Sequence, residues 1–255
     1  MQVAGNVKGG FEVRAKGDII VEGVVEDALL EAGGQIIVKR GIHGMGKGYL
    51  QAESNVICQF IENAIVSSGG FVETNSILHS RVSASSEIHV SGKKGFITGG
   101  MIRAGALVAA QTIGSPMGTD TRVEDGAAPK KKERFQELKE TLEKENEELD
   151  KCKVILATYT KKLQSGEQLP PERMSYVQKL AYAYKAKKHT VEELRNEYAD
   201  LQQELIFANH AKIQISKTIY PGVTVAISDL EMHVKDEQNF CQYIKKDGEI
   251  VRTTL

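Results

Sequence analysis

A seven-residue pattern recurs six times in the first half of the chain, and no other feature limits the possible folds as much. The pattern is an apolar residue, any residue, Ala or Ser, any residue, a small residue, any residue and an apolar residue. All the specified positions are odd, so in an extended strand their side chains point to one face. The pattern therefore predicts six strands, each with one buried face. The copies begin 15 to 20 residues apart, at Val13, Leu30, Leu50, Ile65, Val82 and Ile102.

A unit of this length is too short to enclose a core, whereas stacked units cover one another. We therefore predict a parallel β-helix over residues 1–128, in which each strand pairs with its counterpart in the next turn. A left-handed hexapeptide helix is the alternative, because the first and last apolar residues of the pattern are six apart. That helix needs turns near a fixed multiple of six residues, so the variable spacing favours the right-handed form.

Residues 129–212 differ sharply in composition, since 21 of the 24 glycines fall before them. Apolar residues recur at steps of three and four from Phe135 to Leu163 and from Val177 to Ala208, each with one charged exception, Glu145 and Lys187. Between these runs, a glycine and two prolines end one helix and start the next. The pattern predicts an antiparallel coiled-coil hairpin. Residues 213–255 return to β-type alternation and are predicted to complete and cap the β-helix.

The tip of the predicted hairpin is the candidate partner-binding site. It places an apolar residue and two prolines far from any core, where packing demand is weakest and exposed loops often carry function. The residues predicted to bind a partner are Gln168, Leu169, Pro170 and Pro171.

The string from Gly41 to Lys47 fits the first part of a phosphate-binding loop. Gly48 follows where Ser or Thr would bind magnesium, and the residues after it are the third strand copy rather than a helix. We interpret the string as a glycine-rich corner. A nucleotide-responsive switch using Gly41 to Lys47 is kept as an alternative function.

Ionisable residues form no recognisable catalytic or metal-binding pattern. His79 and His89 could approach each other on adjacent turns, but no carboxylate cluster accompanies them in the sequence. Pairs of charged residues such as Glu73 with Glu87, or Glu73 with Arg81, would suit a β-helical carbohydrate-active enzyme, the other alternative function. No spacing singles these pairs out. The sequence therefore predicts no enzyme, no cofactor, no metal and no catalytic residues.

Charge and hydropathy also limit the partners. The net charge is −1, and the basic run at residues 130–134 is soon offset by acidic residues, so nucleic acid is not expected. No apolar stretch approaches the roughly 20 residues of a membrane span, and residues 1–10 lack a signal-peptide pattern. Three cysteines about 90 residues apart suit buried or incidental thiols rather than disulfides. We expect a cytoplasmic protein without membrane insertion.

Five further segments stand out beside the repeat and the predicted hairpin: Gly5–Gly9, Gly41–Gly44, Lys94–Gly100, Ala110–Ser115 and Ile219–Val223. Together they resemble the bacterial flagellar assembly protein A family over nearly the whole chain. The resemblance implies a right-handed β-helix interrupted by a helical hairpin, and a cytoplasmic scaffold for flagellar assembly or polar placement that lacks catalytic residues. It also implies protein partners among flagellar or polar-localisation components.

Two further expectations follow from the resemblance. Family members usually carry a substantial domain ahead of the β-helix, whereas this sequence opens directly in the repeat, so a function seated in that domain is expected to be absent or trimmed away. The chain also looks like bactofilins in the way its turns stack, which implies self-association through the end turns and a possible homo-oligomer.

Overall fold

The computed structural model describes residues 1–126, 129–165, 169–208 and 211–255. The chain forms two compact units, one from Met1–Ala128 with Glu204–Leu255 and the other from Pro129–Gln203. The helices are α1 (Pro129–Gln164) and α2 (Pro171–Ala208). The strands are β1 (Gln2–Val3), β2 (Glu12–Ala15), β3 (Ile19–Val21), β4 (Val25–Glu26), β5 (Leu29–Ala32), β6 (Ile36–Val38), β7 (Ile42–Ala52), β8 (Val56–Cys58), β9 (Ile61–Ser68), β10 (Val72–Thr74), β11 (Ser76–Ala84), β12 (Glu87–Val90), β13 (Phe96–Ala104), β14 (Leu107–Ile113), β15 (Thr121–Asp125), β16 (Lys212–Ile219), β17 (Val223–Ile227), β18 (Leu230–His233), β19 (Gln238–Lys246) and β20 (Glu249–Thr254).

The strands of the first unit stack as a parallel β-solenoid of about six turns. One series runs from β2 through β5, β7, β9, β11, β13 and β15 to β17, and every neighbouring pair in it is parallel. A second series runs from β1 through β3, β6, β8, β10, β12 and β14 to β16 with the same orientation. The predicted parallel β-helix is confirmed, and its right-handed sense stays a prediction.

Alternating burial explains why this sequence folds into stacked strands. Ile36 is fully buried and stacks between Ile19 and Val56 of the neighbouring turns, whereas the next residue, Ile37, points outward. Five of the six predicted copies have this inward register. The interior is therefore filled by apolar side chains that repeat from turn to turn.

The fourth copy of the pattern is predicted one residue too early. Ile65, predicted to be inside, is 42% exposed, while Val66 is 1% exposed and Val72 is fully buried. The stretch from Val66 to Val72 also satisfies the pattern, and a shift of one residue turns every side chain of a strand to the opposite face. Ile65 thus belongs to the outer surface of the solenoid.

Corner glycines make room for polar side chains of the preceding turn. A Cβ atom on Gly70 would lie 2.1 Å from Asn55 Oδ1. That oxygen accepts a hydrogen bond from the N–H of Phe71 at 3.1 Å. The backbone N–H at this corner, which lies outside the strands, therefore has a side-chain partner. Two further corners repeat the arrangement, Asn6 with Gly23 and Val24, and Asp18 with Gly34 and Gln35.

The C-terminal strands complete the solenoid and then change direction. Strands β16 and β17 continue the two parallel series, next to β14 and β15. Strands β18, β19 and β20 pair antiparallel with β17, β16 and β19, respectively. The segment after the helices thus extends the stack, as predicted, and ends it with antiparallel strands.

The second unit is an antiparallel pair of long helices. Phe135 near the start of α1 stacks on Tyr198 near the end of α2, with ring centroids 4.6 Å apart. Glu145 and Lys187, the charged exceptions in the two predicted seams, form an ion pair at 3.1 Å. Each charge therefore has its partner on the facing helix.

Candidate interaction surfaces

The link between the helices holds the residues predicted to bind a partner. Gln168 lies outside the described residues. Leu169 is partly buried, while Pro170 and Pro171 are exposed. Pro171 is the first residue of α2, and the carbonyl oxygen of Pro170 accepts the N–H of Met174 at 3.0 Å. Proline suits this position because its missing N–H would have had no partner inside the helix.

A row of outward side chains crosses the solenoid from β7 to β15. The strand register stacks Tyr49, Ile65, Arg81, Met101 and Arg122 in consecutive turns. The two apolar neighbours of Arg81, Ile65 and Met101, are 42% and 39% exposed. This outward row was not predicted from the sequence, because the fourth copy of the pattern was assigned the wrong register and Ile65 was placed inside.

We call the centre of this row the Arg81 patch and define it by Ile65, Arg81, Met101 and Arg103. These four residues border a shallow cleft of about 140 Å³, which Val66, Val82 and Ser83 also line. The cleft is mostly apolar, and its two cationic groups lie on adjacent strands. The patch therefore combines exposed apolar surface with positive charge.

The other arginines of this face have acidic partners, including Arg103 within the patch. Arg14 pairs with Glu31 at 3.0 Å, Arg103 Nε lies 2.6 Å from Glu124, and Arg122 contacts Glu124 and Glu231. The carboxylates of Glu231 and Glu124 raise the pKa of Arg122 well above its ordinary value. Within the described part of the chain, no carboxylate lies at ion-pair distance from Arg81.

The string from Gly41 to Lys47 comprises the residue before β7 and the first part of that strand, which is interrupted by a tight turn. Met45 and Gly46 both have left-handed backbone conformations, with φ angles of 47° and 91°. The strand then continues to Ala52, and its pairing with β9 resumes at Gly48. A phosphate loop would lead into the N-terminus of a helix; here a strand follows, as predicted.

The acidic residues and histidines considered for catalysis or metal binding lie on outward positions. Glu73 and His89 are neighbours in the register of β10 and β12, and His89 Nε2 lies 2.6 Å from Glu87. His79 lies in β11, the strand before β12 in the chain, so it does not stack on His89. In residues 1–126, 129–165, 169–208 and 211–255, no group of three His, Cys, Asp or Glu side chains is placed to hold a metal ion.

Burial strongly shifts the pKa values of Cys58 and Asp125. Burial raises the pKa of the Cys58 thiol to about 12, so it is not a reactive thiolate at neutral pH. Burial also raises the pKa of Asp125 to about 8, although the backbone N–H groups of Lys212 and Gly126 favour its ionised form. These amides donate to the Asp125 carboxylate at 2.6 and 2.9 Å. Asp125 thus joins the two chain segments of the solenoid that precede and follow the helices.

These features define a class of protein, a parallel β-solenoid into which a pair of long helices is inserted. Residues 1–250 match the family described as the Flagellar Assembly Protein A beta solenoid domain, and the chain belongs to this family. The predicted family is thereby confirmed, and the protein is related to flagellar assembly. Neither the curated proteins nor the solved structures include a significant match. Among the described residues, neither helix is long and apolar enough to cross a bilayer.

Proposed function

We propose that the protein is a non-enzymatic cytoplasmic scaffold in flagellar assembly or polar placement. It binds protein partners through the link between its helices and through the solenoid surface. The exposed Pro170 and Pro171 at this link are the observation that most supports the proposal, because loops held by rigid elements often carry binding residues. Family membership supports the flagellar role.

The positions of the acidic residues favour a scaffold over a carbohydrate-active enzyme. Glu73 and Glu87 lie on an outward sheet face, and Glu87 contacts His89. General acid and base catalysis needs two carboxyl groups on opposite sides of a bound sugar. Here Glu87 already contacts His89, which also lies next to Glu73 in the strand register. The strand after Lys47 likewise weighs against the nucleotide-responsive alternative.

Loss of the apolar and proline side chains at the link should remove most of the partner capture. The variant combines Leu169→Ser with Pro170→Ser in the full chain and leaves Pro171 to start α2. Tagged protein is expressed in a flagellated bacterium that lacks its own family member, and captured proteins are identified by mass spectrometry. We expect the variant to lose most of the flagellar or polar components that the unmodified chain captures, and to restore swimming less well.

Tyr182→Ser provides a matched control in the same unit. Tyr182 is 79% exposed on α2, away from the link, so this substitution removes exposed apolar surface without touching the predicted site. It should leave the captured set and swimming unchanged. If the link variant captures the same proteins as the unmodified chain, the link is not the binding site.

Self-association is a further part of the proposal. Strand β1 is paired with β3 and β2 with β5, and the described residues supply no strand at the other edge of this first turn. Phe11, just before β2, is 64% exposed. Unpaired edges favour pairing with another chain, so we expect the full chain to form a homo-oligomer and Phe11→Ser to weaken it. Sedimentation equilibrium measures this, and a monomer at all concentrations would contradict it.

A further inference from the structure

We propose that the Arg81 patch binds an amphipathic helix of a protein partner, with a carboxylate between two aliphatic side chains. The proposal rests on the scaffold function above and specifies which part of the solenoid surface takes part. It does not involve the link between α1 and α2, so the two binding sites can be tested separately.

Charge is the first argument. Arg81 has apolar neighbours in both adjacent turns, Ile65 and Met101, and the next outward residue on its own strand is Ser83. Each paired arginine of this face instead has a glutamate on its own strand or a neighbouring one. A guanidinium beside exposed apolar groups is suited to a carboxylate that a partner brings, because Arg binds carboxylates through paired hydrogen bonds.

Spacing is the second argument and selects a helix. Outward residues in successive turns are about 4.8 Å apart, so Ile65, Arg81 and Met101 form a row of roughly 10 Å. On an α-helix, residues at i, i+4 and i+7 share one face and span about 10.5 Å. On an extended strand, residues on one face are nearly 7 Å apart and would not stay in step with the row. A helix lying along the stacking direction therefore fits, with an apolar–acidic–apolar face.

The composition of the cleft favours a protein partner over nucleic acid. Its exposed apolar residues, Ile65 and Met101, would contact aliphatic side chains. Nucleic-acid binding uses several cations along the backbone and aromatic rings for base stacking. Here Arg103 is already paired with Glu124, and the only aromatic residue in the row from Tyr49 to Arg122 is Tyr49 itself.

The second unit already contains the same pairing between helices. In α1, Leu142, Glu145 and Leu149 follow the apolar–acidic–apolar pattern, and Glu145 pairs with Lys187 of α2. Leu142 is 8% exposed in this arrangement. The chain thus uses an acidic residue between leucines to meet a cation, which is the recognition that we infer for the Arg81 patch.

The test measures binding of a labelled helical peptide by fluorescence anisotropy. The probe is an alanine-based helical peptide of about 20 residues, with leucine, glutamate and leucine at i, i+4 and i+7. One comparison peptide has lysine in place of the glutamate, and another has alanine in place of both leucines. We expect saturable binding of the probe and no saturable binding of either comparison peptide. Arg81→Gln and Ile65→Thr should each weaken it about tenfold, as expected for central contacts.

Arg14→Gln is the matched control, because Arg14 lies on the same face but is paired with Glu12 and Glu31. It should leave the affinity unchanged. Added salt should weaken binding to the unmodified chain and have little effect on the weaker binding to Arg81→Gln. The variant with Leu169→Ser and Pro170→Ser should bind the probe normally, so failure at the patch is distinguishable from failure at the link.

Several outcomes would overturn the proposal. The first is the absence of saturable probe binding up to about 1 mM peptide, a range that still detects weak complexes. The second is an affinity for the lysine peptide equal to that for the probe. The third is an affinity of Arg81→Gln for the probe equal to that of the unmodified chain. Displacement of the probe by a single-stranded oligonucleotide that binds through Arg81 would identify nucleic acid as the ligand instead.

Discussion

Ile36→Ala should lower the free energy of unfolding of the solenoid by about 2–5 kcal/mol, the usual range for a truncated core isoleucine. Ile36 is fully buried between Ile19 and Val56, so the shorter side chain leaves a cavity with contacts missing in both neighbouring turns. In a unit of this size the loss corresponds to a decrease in Tm of roughly 5–15 °C. Differential scanning calorimetry of the full chain measures it and can resolve separate transitions of the two units.

Ile37→Ala is the matched control, one residue further along the same strand. Both substitutions lose the same β-propensity and the same number of carbon atoms. Ile37 points outward, so its replacement should cost less than about 1 kcal/mol. Equal costs for the two variants would contradict the inward register on which the stacked fold depends.

The fold was predictable because stacking of similar turns requires the same pattern of apolar residues in each turn. Each turn must offer the same inward pattern to the turns above and below it, so Leu30, Leu50 and Val82 stand out from the spacing of apolar residues alone. The failure at Ile65 has the same origin. Two registers satisfied the pattern there, and only the pairing of Val72 with Val56 and Ile88 separates them.

The hydrogen bonds at the corners and the contacts on the outer surface could not be predicted from this repeat. The hydrogen bond from Phe71 to Asn55 joins residues 16 positions apart, in loops without a local period. Whether a glutamate reaches Arg81 across the strands depends on the register of every neighbouring turn. That register cannot be read from a single strand pattern. The link at Leu169 to Pro171 was found from sequence because glycine and proline mark helix ends directly.

The seam of the helices shows a similar limit. Glu145 and Lys187 appeared as two unrelated departures from the apolar pattern. The structure pairs them, and Lys187 also contacts Glu148. Only an alignment of α1 against α2 reveals this, because the two residues belong to different sequence runs.

The stability of the solenoid should change with pH through Asp125. Its pKa is raised from 3.8 to about 8, mainly by burial, while a neighbouring carboxylate, Glu87, acts in the same direction. The folded protein therefore holds a proton that the unfolded chain releases above about pH 4. The stabilisation that the protonated Asp125 contributes is fully present below pH 4 and is lost as the pH rises towards 8. The slope is up to about 1.4 kcal/mol per pH unit.

Asp125→Asn removes this titration and tests the prediction. The amide keeps one acceptor but turns an N–H group towards a backbone N–H, so at pH 5 we expect the variant to be less stable by about 1–3 kcal/mol. As the pH rises to 8, only the unmodified chain loses the Asp125 contribution, so the difference should shrink or reverse. Calorimetry at several pH values measures it. Glu12→Gln makes the same carboxylate-to-amide change at an exposed position and is the comparison for the substitution itself. If Asp125→Asn and the unmodified chain give parallel stability curves, Asp125 is ionised throughout, and its two backbone amides outweigh its burial.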